Sequence, residues 1–143
     1  MAIELLLQLS NNRPDIRNLR NRFDIFAKDN KIPTKAIHDV QLALDEIVTN
    51  IVEYGYDDDG KHLIDIKFIL NEQSLEIIII DDANPYNIFD KENPDTSLSL
   101  EDKPIGGLGI YLVKHLMTNI DYDYRDGKNH LLLTKSLTEG DIN

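Results

Sequence analysis

Apolar residues recur along this chain at two periods, and the changes between them mark out its elements. Ile37, Val40, Leu44, Ile47, Val48 and Ile51 fall on one face at a spacing of about 3.6 residues. The stretch HDVQLALDEIVTNIVEYGY, from His38 to Tyr56, therefore predicts a long amphipathic helix. Ile16, Leu19, Phe23, Phe26 and Ala27 repeat the spacing in RPDIRNLRNRFDIFAKDN, where Pro14 suits the first helical turn. Lys31-Ile32-Pro33 separates the two helices, Thr34 is the expected N-cap of the second, and Gly55 its end. Ile3 to Leu9 is too short an apolar run for a helix and predicts a first strand. Leu63 to Leu70 alternates, Leu75 to Ile80 is continuously apolar and rich in Ile, and the turn Asn71 to Ser74 joins them into a hairpin. Leu112, Val113, Leu116 and Met117 predict a third helix, preceded by Gly106, Gly107 and Gly109. Ile120 to Tyr124, the Asp126-Gly127 turn and Leu131 to Leu137 make a closing hairpin, followed by a polar tail from Thr138 to Asn143.

This order gives an α+β fold, a two-layer α/β sandwich with helices on one face of a mostly antiparallel mixed sheet. A chain of 143 residues with 41% hydrophobic content fits one domain, 1–143, and no internal repeat divides it. Asn84 to Pro104 carries three Pro and little periodicity; loops this long in a small domain are lids or disordered inserts.

Composition narrows the function classes. The net charge of −11 argues against non-specific binding to nucleic acid or anionic lipid, because phosphate contacts need clustered Lys and Arg. Four Arg within ten residues, Arg13, Arg17, Arg20 and Arg22, lie on the polar side of the first helix, as a solvated face or a docking surface. The chain has no Cys, and its four His show no metal-ligand spacing, so thiolate zinc sites and disulfides are excluded. MAIELLLQL lacks a basic leader and a long enough apolar run for a signal peptide, which makes a cytoplasmic protein the expectation.

Candidate chemistry concentrates in three places. Glu46 and Asn50 stand one turn apart at the border of the apolar face; a carboxylate can take a proton, and an amide oxygen can ligate Mg²⁺. Most such pairs on helices are simply solvated. Asp81 stands where an apolar strand meets a loop, a common place for a ligand contact and equally for a turn-forming Asp. The glycines before the third helix allow close backbone approach, and a helix start favours bound phosphate. They follow a loop and lack a GK[ST], which excludes the Rossmann and P-loop patterns. Asp57-Asp58-Asp59-Gly60 lacks the alternating ligands of a calcium loop and reads as a turn.

Order and motifs together resemble the GHKL ATPase superfamily, in particular the bacterial anti-sigma-factor serine-protein kinases, from Ile3 to Leu137. LDEIVTNIVEYGY resembles the N box, DDANPYN the adenine-binding box, and KPIGGLGIYLVKHLM the glycine box. The resemblance implies a Bergerat-type ATP-binding fold, with ATP and Mg²⁺ as cofactors. Glu46 would be the general base and Asn50 the Mg²⁺ ligand. Asp81 would accept from the adenine amino group beside Ala83. Gly106, Gly107 and Gly109, with the helix start at Leu108 to Ile110, would approach the phosphates under a lid formed by Asn84 to Pro104. Two departures stand out: Ala83 occupies the place of the family's adenine-box Gly, and Ile105 stands where sporulation-type kinases carry Arg. The implied activity is phosphorylation of a Ser on a small anti-sigma-factor antagonist, with a sigma factor as the regulated partner and a homodimer as the assembly. The alternative is a nucleotide-gated module that sequesters a sigma factor or another partner without efficient phosphoryl transfer.

Overall fold

The strands form one five-stranded sheet in the order β1-β2-β3-β5-β4, seen in a computed structural model that describes residues 2–86 and 107–138. The strands are β1 (Ile3–Ser10), β2 (Leu63–Leu70), β3 (Ser74–Asp81), β4 (Asn119–Arg125) and β5 (Lys128–Ser136). The helices are α1 (Arg13–Asp29), α2 (Thr34–Tyr54) and α3 (Gly107–Leu116). All four strand pairings among the described residues are antiparallel. Most of the lid expected from Asn84 to Pro104, together with Ile105, Gly106 and residues 139–143 of the tail, lies outside the described residues.

Alternation decides which side of the sheet is covered. Ile64, Ile66 and Phe68 on β2, Leu75, Ile77 and Ile79 on β3, and Leu131 and Leu133 on β5 are all buried. Their registers, such as Ile66 opposite Ile79 and Ile79 opposite Leu131, put them on one face. Against that face pack Leu19, Phe23 and Ala27 of α1, Val40, Leu44, Ile47 and Val48 of α2, and Val113 of α3. Phe23 stacks on Phe68 with ring centroids 5.0 Å apart. Burying each such side chain is worth about 1.5–3 kcal/mol, whereas an exposed ion pair contributes about 0–1 kcal/mol. The basic side of α1 is therefore a minor contributor: Arg13 pairs with Glu53, and Arg20 with Asp45 at 3.4 Å, both reaching across to α2.

Two helix ends have causes the sequence pattern did not carry. Thr34 is the first residue of α2 and makes no side-chain cap; Pro33 precedes it in an extended conformation and its carbonyl accepts the first bond, from Ile37 N–H at 3.0 Å. Proline's fixed φ sets the entry, so the hydroxyl of Thr34 is displaced from the capping position. Gly55 ends α2 with φ of −79°, open to any residue; its need is space, because a Cβ there would lie 2.8 Å from the Ala83 methyl. The β4–β5 turn does use glycine's freedom, with φ of 55° at Asp126 and 74° at Gly127.

Among the described residues the inward side also buries the ion pair of Asp39 and Lys135. Lys135 Nζ donates to Asp39 Oδ2 at 3.0 Å and to the Leu116 carbonyl at 2.6 Å. The contact ties β5 to α2 and to the last turn of α3.

Candidate nucleotide site

A cleft of about 400 Å³ opens between α2, the inward face of β3 and β5, and the start of α3. Ile47 and Ile51 line it from α2, Ile79 from β3, Ile110 from α3 and Leu131 from β5, giving mainly apolar walls. Gly55, residues 83–86, Tyr54 and Tyr122 also line it. Against those walls stand a few polar groups, Asn50, Asp81 and Asn129. Mainly apolar walls with a few placed polar groups suit an aromatic ring system that carries hydrogen-bonding edges.

Asp81 ends β3 and is 5% exposed. Its Oδ1 accepts from the Ala83 N–H at 3.0 Å and from Asn129 Nδ2 at 2.9 Å. Burial raises its carboxyl above the ordinary aspartate value, and those two hydrogen bonds work against the rise. A buried carboxylate held on one oxygen presents its other oxygen as an acceptor for an amino group.

Ala83 is buried, and its methyl is turned toward Gly55 at the end of α2. Asn84 N–H donates to the Gly55 carbonyl at 2.8 Å, which fixes the turn after β3 against the helix end. The extra methyl is thus matched by an absent one across the contact.

Glu46 and Asn50 share a face of α2 toward α3. Gly109 packs so closely on Glu46 that a Cβ at position 109 would overlap the carboxylate. This glycine serves close approach, placing the Glu46 carboxylate beside the first turn of α3. Gly107 opens α3 and Leu108 follows it in the helix, while Ile110 is buried in the cleft wall. Asn50 Nδ2 is buried and has no hydrogen-bond partner among the described residues. An orphaned NH₂ lining a cleft fits a ligand that brings an acceptor, such as a phosphate oxygen, while the amide oxygen of Asn50 is the atom suited to a hydrated Mg²⁺.

Of the site residues expected from sequence, Asn50, Asp81, Ala83 and Ile110 line the cleft and Glu46 lies against Gly109 in the first turn of α3, while Gly106 is outside the described residues. Missed altogether was Asn129, directly opposite Asp81 in the β3–β5 register. Its signal was a polar residue at an inward position of an alternating strand, in phase with Leu131 and Leu133.

The chain belongs to the histidine kinase-like ATPase domain family, which it matches over residues 9–135. Within that family it resembles the anti-sigma-factor serine-protein kinases. A serine-protein kinase RsbW of Bacillus cereus (strain AH187) is 37% identical over 103 residues, covering 69% of this chain and 63% of the relative. RsbW of Bacillus velezensis (strain DSM 23117 / BGSC 10A6 / LMG 26770 / FZB42) is 30% identical over 96 residues, 64% of this chain and 59% of the relative. The aligned part therefore spans about three fifths of those relatives, 59% and 63% of their lengths. The structure of the RsbU and RsbW domains of Rv1364c from Mycobacterium tuberculosis aligns with 94% of this chain and 32% of its own, with a TM-score of 0.66 and 17% identity. That likeness is one of fold.

Proposed function

We propose that this chain is an ATP-dependent protein serine kinase of the anti-sigma-factor type, which phosphorylates a Ser on a small antagonist protein and so regulates a sigma factor. The observation that carries the reading is the pairing, in one cleft, of the buried acceptor Asp81 with the orphaned amide of Asn50. Asp81 would accept from the adenine amino group. Asn50 would offer its orphaned Nδ2–H to a phosphate oxygen and hold through Oδ1 a Mg²⁺ that, when bound, supplies charge compensation at the phosphate oxygens. Glu46, beside Gly109, takes the proton from the attacking seryl hydroxyl; the Oγ–phosphorus bond forms, the bond to the β-phosphate oxygen breaks, and ADP leaves. The first turn of α3 offers backbone N–H groups to phosphate. A homodimer and a cytoplasmic location belong to the same proposal; the outer edge of β1, which has no strand beside it among the described residues, supports the former.

Ile105, in the place of a charge-stabilising Arg, favours a second reading: a nucleotide-gated module that sequesters a sigma factor without efficient transfer. Incubation with γ-labelled ATP, Mg²⁺ and soluble extract of the source cell separates the two. A kinase labels a small protein, and Glu46→Gln keeps ATP affinity while losing about 10²–10⁴-fold in transfer. Equal transfer by both proteins would remove Glu46 from the chemistry.

A further inference from the structure

Asn129 sits at an inward position of β5, 5% exposed, and uses both ends of its amide. Its Nδ2 donates to Asp81 Oδ1 at 2.9 Å and to the carbonyls of Ala83 and Asn84 at 3.1 Å each. Its Oδ1 accepts from Tyr86 N–H at 3.2 Å and from the Tyr122 hydroxyl. The orientation is chemically fixed, since turning the amide over would set its oxygen against three acceptors and its NH₂ against a backbone N–H. Ala83 N–H occupies the same Asp81 oxygen. Among the described residues no hydrogen bond reaches Asp81 Oδ2, which leaves that oxygen for a ligand.

We propose that Asn129 is the specificity-determining residue of the cleft: by donating to Oδ1 it holds Asp81 as an ionised acceptor, so that a purine with a 6-amino group is taken and one with a 6-oxo group is refused. The inference rests on the nucleotide reading of the cleft. A carboxylate only accepts, whereas a neutral carboxylic acid has an O–H to offer a 6-oxo group, so discrimination depends on which form is present. Burial drives Asp81 toward the neutral form and Asp82, in the same turn, adds repulsion. Opposing them are the hydrogen bonds from Asn129 and Ala83, with His130 of β5 a smaller favourable charge. Tyr122 of β4 and Tyr56 just past α2 also feel the Asp81 charge, and both hydroxyls are pushed up, chiefly by burial. Removing Asn129 leaves burial less opposed, and Asp81 then takes up a proton at higher pH.

Calorimetry with Mg²⁺-ATP and Mg²⁺-ITP on the unaltered chain, Asn129→Leu and Asn129→Thr, between about pH 6 and pH 8, tests this. The unaltered chain is expected to prefer ATP by about a hundredfold or more. Asn129→Leu should bring the ratio to about tenfold or less at the acid end, recovering as pH rises, and Asn129→Thr, which keeps a donor, should restore it. An unaltered chain that binds neither nucleotide overturns the reading of the cleft. One that prefers ATP while Asn129→Leu keeps the same ratio overturns only the role of Asn129. Should Asn129→Leu not fold, a carboxyl-carbon NMR titration of the unaltered chain decides: Asp81 ionised at neutral pH is the expected result, and Asp81 protonated there overturns the inference.

Discussion

Asp39→Asn should cost this fold about 3–5 kcal/mol, far more than its conservative shape suggests, because it strands the buried ammonium of Lys135. Asp39 and Lys135 are 4% and 5% exposed. With Asp39 neutral, Lys135 keeps the Leu116 carbonyl but no counter-charge. Lys135→Met is the milder change: Asp39 retains Lys35 at 3.0 Å, whose own side chain is 55% exposed, so a cost of about 1–3 kcal/mol is expected. The double variant leaves no buried charge unpaired on Lys135 and should cost less than the sum, with a coupling of about 2 kcal/mol. Urea unfolding near neutral pH measures all three, and at about 2–4 °C per kcal/mol Asp39→Asn should melt some 6–20 °C lower. Burial raises the Asp39 carboxyl, but the hydrogen bonds and charges of Lys135 and Lys35 more than offset it, so its net shift is downward. The stability it contributes is therefore present above the ordinary aspartate range near about 4 and is lost as pH falls through the lowered folded value. Additive single costs, or a loss under about 1 kcal/mol for Asp39→Asn, would refute the reasoning.

Gly109→Ala should lower phosphoryl transfer while leaving the melting temperature unchanged or slightly raised, since its Cβ displaces only the flexible end of the Glu46 side chain and alanine suits a helix better than glycine. Unchanged transfer by Gly109→Ala would remove the close approach. Asp81→Asn should weaken ATP far more than bare triphosphate, and calorimetry showing equal ATP affinity would remove the adenine contact. His62 faces Asp58 at 2.8 Å through Nε2 and Asp82 at 3.2 Å through Nδ1, and only an imidazolium donates at both. Its pKa is raised, first by the hydrogen bond to Asp58 and then by that to Asp82. The stability it contributes is full below the unfolded value of about 6.5 and fades as pH rises through the raised folded value. A proton NMR titration that places His62 at or below the ordinary value contradicts this.

Periodicity carried most of the fold. The inward faces of β2, β3 and α2 could be read from Ile, Leu and Val spacing because burial there is purely apolar. It failed where inward positions are polar. Asp39, Asn129 and Lys135 each occupy a buried position that the apolar pattern skips, and each is explained by a partner far along the chain: Lys135 for Asp39, Asp81 for Asn129. No local pattern announces such partners, since they depend on strand register and helix packing. Thr34 failed for the opposite reason: Thr is a good cap by propensity, but Pro33 beside it fixed the backbone first. The candidate site residues were named through motif order, and the structure sets Asn50, Asp81 and Ala83 around one cleft, a long-range juxtaposition that propensity cannot encode.

Ala83 shows how a departure from a family pattern is to be weighed. Taken alone, a methyl in the place of glycine at the adenine box counts against nucleotide binding, because it threatens to crowd the base. In the fold its Cβ is directed to Gly55, where a side chain would meet it at 2.8 Å, and the turn is held there by the bond from Asn84 N–H to the Gly55 carbonyl. The two positions lie 28 residues apart (83 − 55) and form one packing unit. The methyl therefore supports the helix end that lines the cleft while Asp81 keeps both of its donors. Ala83 then carries no argument against a nucleotide, and the contest between kinase and binding module narrows to the phosphate end, where Glu46, Asn50 and the start of α3 meet.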